Sequence, residues 1–283
     1  MTTPTGKQKE KKLKIGDRDF ANKGHTYVMG ILNITPDSFS DGGRYNTTEQ
    51  ALYRVEEMIG EGADVLDIGG ESTRPGYTPV SEEEEIDRIS TVVEKIKSSF
   101  DTPISVDTYK SKVAQAGIGA GADMINDIWG LKFDEDIADV IAQANVPCCL
   151  MHNRKEAVYE NFMEDVLWDL EKSLDIAHQA GIDDEKIILD PGVGFGKSYV
   201  NNLEIIDRLE LLHSLGYPIL LGASRKSVVG LTLDLPADER VEGTLVTSVY
   251  AALKGAMFVR VHDVKENVRA IRMTEALRDG WRI

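Results

Sequence analysis

One pattern recurs eight times along the chain after residue 26: a short apolar run followed by a longer amphipathic stretch. Most of the runs are apolar at every position, which is typical of parallel strands buried on both faces. In the stretches between them, apolar residues recur at spacings of three and four, which predicts helices. The predicted strands are 27–32, 65–68, 104–106, 124–125, 147–151, 187–189, 219–221 and 257–261. The predicted helices are 48–60, 81–99, 110–118, 134–144, 160–180, 201–215, 238–254 and 264–279.

Eight strand–helix units predict the α/β class and, within it, a closed (β/α)8 TIM barrel. The alternative is an open doubly wound sheet, which usually has fewer strands and carries a glycine fingerprint after the first of them. Here the first predicted strand is followed by Asn33-Ile34-Thr35-Pro36, which is not such a fingerprint. Because no linker divides the chain, we expect a flexible N-terminal arm over 1–20 and a single barrel domain over 21–283.

Charge and composition exclude several classes of function. With 32 Lys and Arg against 48 Asp and Glu, the net charge of −16 argues against sequence-independent nucleic-acid binding. No apolar run approaches the roughly 20 residues of a membrane span, and 1–14 has no apolar segment typical of a secretory signal. Cys148 and Cys149 are adjacent in an apolar run, which indicates buried free thiols in a reducing cytoplasm. We therefore expect a cytoplasmic protein that binds neither nucleic acid nor membrane.

Polar residues follow the apolar run in every unit, where a TIM barrel carries its active site. Several have an ordinary explanation when taken alone. Asp107 could cap the next helix, and His152 could be a hydrogen-bonded rim residue. Their occurrence together at one end of a barrel is hard to explain by structure alone. The set comprises Asn33, Asp67, Asp107, Asn126, Asp127, His152, Asn153, Asp190, Lys226, Arg260 and His262.

The chemistry of this set indicates a heterocycle pocket beside an anion pocket. Two carboxylates and an amide, Asp107, Asp190 and Asn126, can accept from ring N–H and exocyclic amino groups, as on a pterin or purine edge. The basic residues follow the last two predicted strands, where barrels commonly bind phosphate. Asn33, on the neighbouring first strand, offers a hard oxygen that suits Mg²⁺.

Two predicted loops are longer than the usual strand–helix connection of about two to six residues. They cover 35–44 and 73–79 and are rich in Gly, Pro, Ser and Asp. Their position after the first two strands and their composition make them candidates for segments that close over the mouth of the barrel.

Two other segments resemble functional motifs and have simpler explanations. Ser81 followed by four glutamates fits a capped helix N-terminus with acids in its first turn. The segment 191–198 nearly matches a phosphate-binding P-loop, but Pro191 stands where the first glycine is required.

Four segments of the chain resemble the signatures of the bacterial dihydropteroate synthases, a pterin-binding family. The resemblance extends from about Lys14 to the C-terminus, and the first two segments are long and specific. The four segments are Met29–Gly43 (MGILNITPDSFSDGG), Asp67–Gly76 (DIGGESTRPG), Asp190–Lys197 (DPGVGFGK) and Ser224–Ser227 (SRKS).

The resemblance implies a transferase of folate and tetrahydrofolate biosynthesis. Such an enzyme condenses 6-hydroxymethyl-7,8-dihydropterin pyrophosphate with p-aminobenzoate in the presence of Mg²⁺, is usually a homodimer, and is a target of sulfonamides. The pyrophosphate leaves first, giving a pterin-stabilised methylene cation that the aryl amine then attacks.

The resemblance also implies roles for residues that match the family motifs. Those expected to hold or line the pterin are Asp107, Asn126, Asp190, Lys226, Ile128, Met151 and Phe195. Those expected to bind the pyrophosphate are Asn33, Arg260 and His262, with Asn33 also facing the metal. Those expected at p-aminobenzoate are Phe39, Thr73, Arg74, Pro75 and Ser227. The catalytic set would be Asp107, Lys226, Asn33, Arg260 and His262.

Two alternatives remain open at this stage. A pterin-binding methyltransferase domain shares the barrel and the Asp/Asn/Asp contacts, but it should lack the Thr35–Ser40 loop and the Ser224–Ser227 turn, and both are present. A non-catalytic paralogue would bind the pterin pyrophosphate without turning it over.

Overall fold

The computed structural model describes residues 12–21, 24–34, 44–71 and 80–280. Within these ranges two short strands precede eight longer strand–helix units. The strands are β1 (Lys12–Ile15), β2 (Arg18–Ala21), β3 (Tyr27–Asn33), β4 (Val65–Gly69), β5 (Ile104–Asp107), β6 (Met124–Asp127), β7 (Cys148–Met151), β8 (Ile187–Asp190), β9 (Leu220–Leu221) and β10 (Phe258–Val261). The helices are α1 (Arg44–Glu61), α2 (Glu82–Ser99), α3 (Ser111–Gly119), α4 (Ile137–Ala144), α5 (Phe162–Ala180), α6 (Tyr199–Asp207), α7 (Ser227–Leu233), α8 (Val241–Leu253) and α9 (Val264–Asp279).

Strands β3 to β10 form one parallel sheet that closes on itself. Each strand from β3 to β7 pairs with the next, and β10 pairs with both β3 and β9. The sheet closes where Leu189 of β8 forms a bridge with Ile219, and the Leu189 N–H donates to the Pro218 carbonyl at 2.9 Å. The predicted single-domain (β/α)8 barrel is therefore confirmed.

The helices agree with the sequence prediction only in part. Helix α1 begins at Arg44 and not at 48, α8 begins at Val241 and not at 238, and α7 lies outside every predicted helix range. The predicted helix 201–215 divides, because Arg208 leaves the helical conformation (φ −104°, ψ 24°) and 209–215 continues as a 3₁₀ helix. Helix α4 begins at Ile137 and not at 134, because the Asp134 carboxylate accepts from the Ser111 and Asp136 N–H groups and forms a turn. Among the described helices, none is long and apolar enough to cross a membrane.

The N-terminus of α2 matches its predicted cap. The Ser81 hydroxyl accepts from the Glu84 N–H at 3.2 Å. One of the four acids in the first turn also has a partner inside the protein. Glu85 is buried and accepts from Lys110 Nζ at 2.7 Å, so it belongs to an internal ion pair.

Two apolar cores stabilise the barrel. The larger one fills the layer between the strands and the surrounding helices. The smaller one lies inside the barrel toward the N-terminal ends of its strands. Its buried members are Leu13, Ile15, Phe20, Met29, Val65, Met124, Cys149, Ile188, Leu220, Met257 and Phe258.

The expectation of a flexible arm over 1–20 is wrong for the residues from 12 onward. Strands β1 and β2 pair as an antiparallel hairpin, with Ile15 opposite Arg18. Its apolar side chains Leu13, Ile15 and Phe20 are buried in the inner core. The sequence signal was weak because each strand is only four residues long and polar residues surround its alternating apolar positions. Residues 1–11 of the expected arm lie outside the described residues.

Candidate active site

Polar side chains from several strands meet inside the C-terminal end of the barrel. The pairing register places Asp107 of β5 beside Asn126 of β6. The Asn126 amide donates to the Asp67 carboxylate of β4 at 3.2 Å. Arg260 of β10 reaches across the mouth and donates from Nε to Asp67 and from Nη2 to Asp107, the latter at 2.5 Å. Closure of the barrel thus brings residues from its second, third and fourth strands together with Arg260 of its last strand.

This cluster holds more carboxylates than cations. Asp190, at the end of β8, lies close to Lys226, since a Cβ built on Gly222 would be 3.5 Å from Asp190 Oδ2 and 3.8 Å from Lys226 Nζ. In the part of the chain that the structure describes, the buried Oδ1 atoms of Asp67 and Asp107 have no hydrogen-bond partner. Buried acceptors of this kind are costly unless a donor reaches them. The pocket therefore suits a ligand that presents N–H groups.

Burial shifts the protonation of the charged groups at this site. It raises the pKa of Asp107 to about 7, with Arg260 acting in the opposite direction. It also raises the pKa of Asp190, which Lys226 opposes. For Lys226 itself, burial lowers the pKa to about 8, and Asp190 is the main opposing charge. Groups that change charge this close to neutral pH are typical of functional sites.

An apolar platform lies at the same end of the barrel. Tyr109, Ile128 and Met151 are buried and in contact, and Trp129 and Phe195 pack against them while remaining partly exposed. Aromatic and aliphatic side chains beside a few fixed polar groups are the usual lining of a small-molecule site. A flat heterocycle could stack on this platform while its edge meets the carboxylates.

The glycine-rich segment after β8 supports this platform. Gly192 needs both its positive φ of 71° and its missing side chain, because a Cβ there would be 1.9 Å from the His152 carbonyl oxygen. The segment therefore packs directly against the residues that follow β7. Lys226 Nζ donates to the Val193 carbonyl at 2.6 Å and lies 4.7 Å from the centre of the Phe195 ring.

The predicted anion-binding side is held by contacts between the segments after β9 and β10. His262 Nδ1 lies 3.0 Å from the Ser224 hydroxyl, which also accepts from the His262 N–H at 3.2 Å. Arg225 donates from Nε to Asp263 at 3.0 Å. Arg225 has a φ of 56°, a left-handed conformation that is costly for a residue other than glycine. This turn holds Lys226 and His262 at the same end of the barrel.

Asn33, the last residue of β3, is the predicted metal ligand. A Cβ built on Gly69 would be 3.5 Å from Asn33 Oδ1 and 3.7 Å from Asp107 Cβ, so the amide lies at the edge of the carboxylate cluster. The described residues contain no group of three or more His, Cys, Asp or Glu side chains that could enclose a metal. Mg²⁺ needs few protein ligands when it also binds substrate phosphates and water. The hard amide oxygen of Asn33 fits a metal of that kind.

Of the residues predicted to contact p-aminobenzoate, Ser227 alone lies among the described residues. Ser227 is exposed and is the first residue of α7. Phe39, Thr73, Arg74 and Pro75 lie outside the described residues, as does most of both long loops.

Two strand-end residues have structural roles instead. The Asp127 carboxylate accepts from the Trp129 and Leu131 N–H groups, both at 2.7 Å, and closes the turn after β6. His152 is fully buried, and its Nε2 lies 3.2 Å from Asp169. His152 is therefore hydrogen-bonded, as expected, but it is buried and does not lie at the rim.

Sequence reasoning gave no role to Asp67 or Lys197. Asp67 contacts Asn126 and Arg260 of the site, and Lys197 contacts His152 and the glycine-rich segment after β8. Asp67 was already in the set of strand-end polar residues, and its role had a signal, because it is a charged residue in the middle of an apolar run. Lys197 gave no such signal, because it lies within the segment 191–198, which resembles a P-loop.

Residues 29–262 match the family described as pterin binding enzyme. The chain belongs to this family. Among its members, the dihydropteroate synthase of Clostridium beijerinckii is 58% identical over 266 residues, which are 94% of this chain and 99% of that protein. At that identity and coverage, the chain is one of the dihydropteroate synthases.

Solved structures of dihydropteroate synthases share the fold. One from Clostridium difficile in the presence of pteroic acid has a TM-score of 0.88 and 48% identity, and covers 89% of this chain and 97% of that one. One from Xanthomonas albilineans with 4-aminobenzoic acid has a TM-score of 0.91 and 41% identity, with coverage of 96% and 99%. These matches support the synthase and not the methyltransferase alternative.

Proposed function

We propose that this dihydropteroate synthase condenses 6-hydroxymethyl-7,8-dihydropterin pyrophosphate with p-aminobenzoate, giving 7,8-dihydropteroate and pyrophosphate. The observation that carries the proposal is the buried Asp107 Oδ1. It has no partner among the described residues and lies in a cluster of acceptors at the mouth. A pterin edge supplies the N–H donors that such acceptors require.

The two halves of the pocket take different parts of the substrate. Asp107, Asn126 and Asp190 would hold the polar edge of the pterin, and Ile128, Met151 and Phe195 would contact its faces. The ammonium of Lys226, between Asp190 and the Phe195 ring, would donate to a ring oxygen or nitrogen of the pterin.

Arg260, His262 and Asn33 would bind the pyrophosphate. Arg260 already contacts two carboxylates, so an incoming anion would share its guanidinium with Asp67 and Asp107. The oxygen of Asn33 would hold Mg²⁺, and the metal, when bound, supplies positive charge beside the pyrophosphate.

The reaction needs positioning and charge stabilisation more than a strong base. The bond between the pterin methylene carbon and the pyrophosphate oxygen breaks, and both electrons leave with the oxygen. Asp107 stabilises the resulting cation electrostatically, and the basic residues stabilise the departing anion. The lone pair of the p-aminobenzoate nitrogen then forms the new C–N bond, and the amine loses a proton to pyrophosphate or solvent.

The p-aminobenzoate subsite would involve Ser227 together with Phe39, Thr73, Arg74 and Pro75. For Ser227 the support is its exposed position one residue after Lys226, at the end of the barrel that holds the pterin pocket.

The active form would be a homodimer, for which an apolar groove of about 400 Å³ between α6, α7 and α8 is the support. Its lining includes Leu233 and Val246, which are 44% and 67% exposed. Sedimentation of the wild-type chain should give a dimer, and Val246→Asp should give a monomer. Val158→Asp, at an equally exposed valine outside the groove, is the matched control. A monomeric wild type would contradict the assignment.

The chain would act in the cytoplasm. The support is that Cys148 and Cys149 are both free and buried, and burial raises the pKa of both thiols. Such thiols are typical of proteins from reducing compartments.

A coupled assay tests the activity. Purified protein is given Mg²⁺, the pterin pyrophosphate and p-aminobenzoate, and dihydropteroate is followed by mass. Lys226→Ala should abolish nearly all product, whereas Lys95→Ala, at an exposed lysine of α2, should leave it unchanged. Binding of the pterin pyrophosphate without product would favour the non-catalytic paralogue, and no binding at all would refute the pocket.

A further inference from the structure

The side chain of Lys197 turns back beneath the glycine-rich segment that it ends. Its Nζ lies 2.7 Å from His152 Nδ1, 2.9 Å from the Gly192 carbonyl and 3.0 Å from the Phe195 carbonyl. Burial lowers the pKa of Lys197, and Asp190 opposes this shift. In its ammonium form Lys197 has three N–H donors, and here each of them has an acceptor. One side chain therefore joins both ends of the segment to the residue that follows β7.

The orientation of His152 is fixed from the opposite side. Its Nε2 lies 3.2 Å from Asp169 Oδ2, and an ionised carboxylate can only accept, so Nε2 carries the hydrogen. Nδ1 is then left as an acceptor for Lys197. Asp169 also accepts from Arg154 Nε at 2.5 Å, and burial lowers the pKa of His152 to about 4, which favours the neutral ring.

The segment that Lys197 fastens carries part of the pterin pocket. Phe195 presents its ring to Lys226, and the Val193 carbonyl accepts from Lys226 Nζ. At the start of the segment, the Gly192 N–H donates to Asp190 Oδ1 at 2.6 Å. Three groups assigned to the pterin are thus joined through a loop whose three glycines would otherwise allow many conformations.

We propose that Lys197, oriented by His152 and Asp169, is a positioning residue for pterin binding that acts through Phe195. This role rests on the proposed function, because it takes the pterin as the ligand of the pocket. Lys197 does not contact the pterin itself. It holds the Phe195 ring at the place where the pterin face packs, so its loss affects the pterin and not p-aminobenzoate.

The test is a double-mutant cycle on binding. The ligand is the dihydropterin pyrophosphate, measured by calorimetry without p-aminobenzoate. Lys197→Met keeps the length of the side chain and removes its donors, and should raise the Kd about tenfold, a size expected for residues coupled by direct contact. The KM for p-aminobenzoate at saturating pterin should change less than about twofold, because the proposed subsite of that substrate is formed by Ser227 and the two long loops and not by this segment.

Phe195→Ala supplies the other side of the cycle. If Lys197 acts through Phe195, the double variant should bind no more weakly than Phe195→Ala alone, and additive losses would overturn the proposal. Lys172→Met is the matched control, since Lys172 contacts Asp169 at 3.4 Å without reaching the segment, and it should bind like wild type.

A further variant covers the case in which Lys197→Met does not fold, as judged by circular dichroism. His152→Phe keeps a ring at that position and removes one of the three acceptors of Lys197. A higher Kd for the pterin with an unchanged KM for p-aminobenzoate would support the proposal, and an unchanged Kd would refute it. Because the readout is binding, a wild type that binds the pterin but makes no product would refute the proposed activity alone.

Discussion

The two ends of the barrel treat their carboxylates in opposite ways. Asp64 and Asp67 are three residues apart, directly before β4 and in its middle. Asp64, at the N-terminal end, accepts from the Val28 N–H at 2.9 Å and from Arg18. It therefore joins the β1–β2 hairpin to the barrel. Asp67, facing the mouth, is fully buried and has one oxygen without a partner among the described residues.

The apolar side chains differ in the same sense. Below the carboxylates, the hairpin closes the barrel with Phe20, whose ring centre lies 4.8 Å from that of Tyr27 and 5.4 Å from that of Phe258. At the mouth, Trp129 and Phe195 remain partly exposed. One end satisfies its polar groups and buries its rings, and the other leaves both available to a ligand. The N-terminal end thus stabilises the fold, and the C-terminal end uses that fold to hold its polar residues in place.

The largest effect should follow from Asp107→Asn. It removes the charge that stabilises the cation, so kcat should fall by about 100-fold or more, as when one electrostatic stabiliser is removed from an active site. Arg260 keeps Asp67 as a partner, so the fold should survive. Steady-state kinetics and thermal unfolding measure the two effects, and a variant as active as wild type would reject the role of Asp107.

The stability of the same variant should depend on pH differently from that of the wild type. Because the pKa of Asp107 is raised to about 7, the folded state keeps a proton that the unfolded state loses above about pH 4. The free energy of unfolding that this group contributes therefore falls as the pH rises from about 4 to about 7. Asp107→Asn should lose this dependence, so its stability relative to wild type should increase over that range.

At the other end, Phe20→Ala should reduce stability with little effect on catalysis. Removing a buried phenylalanine typically costs about 3–5 kcal/mol of the free energy of unfolding. Because Phe20 belongs to the inner core at the N-terminal end, kcat at a temperature where the variant is folded should remain within about twofold of wild type. Tyr53→Ala, at a tyrosine that is 64% exposed, is the control for denaturant unfolding. A large loss of kcat in Phe20→Ala would break the division between the ends.

The pH profile of kcat/KM should be a narrow bell. On the acid side, activity falls as Asp107 takes up a proton below about pH 7, and on the alkaline side it falls as Lys226 loses one above about pH 8. Each limb should approach about a tenfold loss per pH unit. Lys226→Arg, which keeps its charge, should move the alkaline limb upward if it retains activity. An alkaline limb unchanged in that variant would show that another group titrates.

The smallest effect should come from Arg18→Met. Arg18 pairs with Asp64 at 2.5 Å, but its side chain is 46% exposed, and exposed ion pairs contribute about 0–1 kcal/mol. Asp64 keeps its bond from the Val28 N–H. Denaturant unfolding should therefore show a loss below about 1 kcal/mol and no change in kcat. A loss as large as that of Phe20→Ala would mean that the Arg18–Asp64 ion pair, and not the burial of Phe20, holds the hairpin against the barrel.

Local patterns explain which parts could be predicted. The continuous apolar runs and the three-and-four spacing are properties of neighbouring residues, so all eight barrel strands were found to within a few residues. The division of the helix at Arg208 was not, because the apolar spacing continues across it. The hairpin was missed because Leu13, Ile15 and Phe20 can be recognised as core residues only when the barrel end that they cover is known.

The order of the eight barrel strands, the closed barrel and the polar residues that end the strands follow from local patterns in the sequence. Which of these polar residues meet depends on the tertiary structure. Arg260 and Asp67 are 193 positions apart and bond because β10 lies beside β3, which lies beside β4. Lys197 and His152 are 45 positions apart and bond because β7 and β8 are neighbours. Such partners depend on how the strands are arranged in space. The periodic pattern of apolar residues along the sequence does not give the distance between two strands.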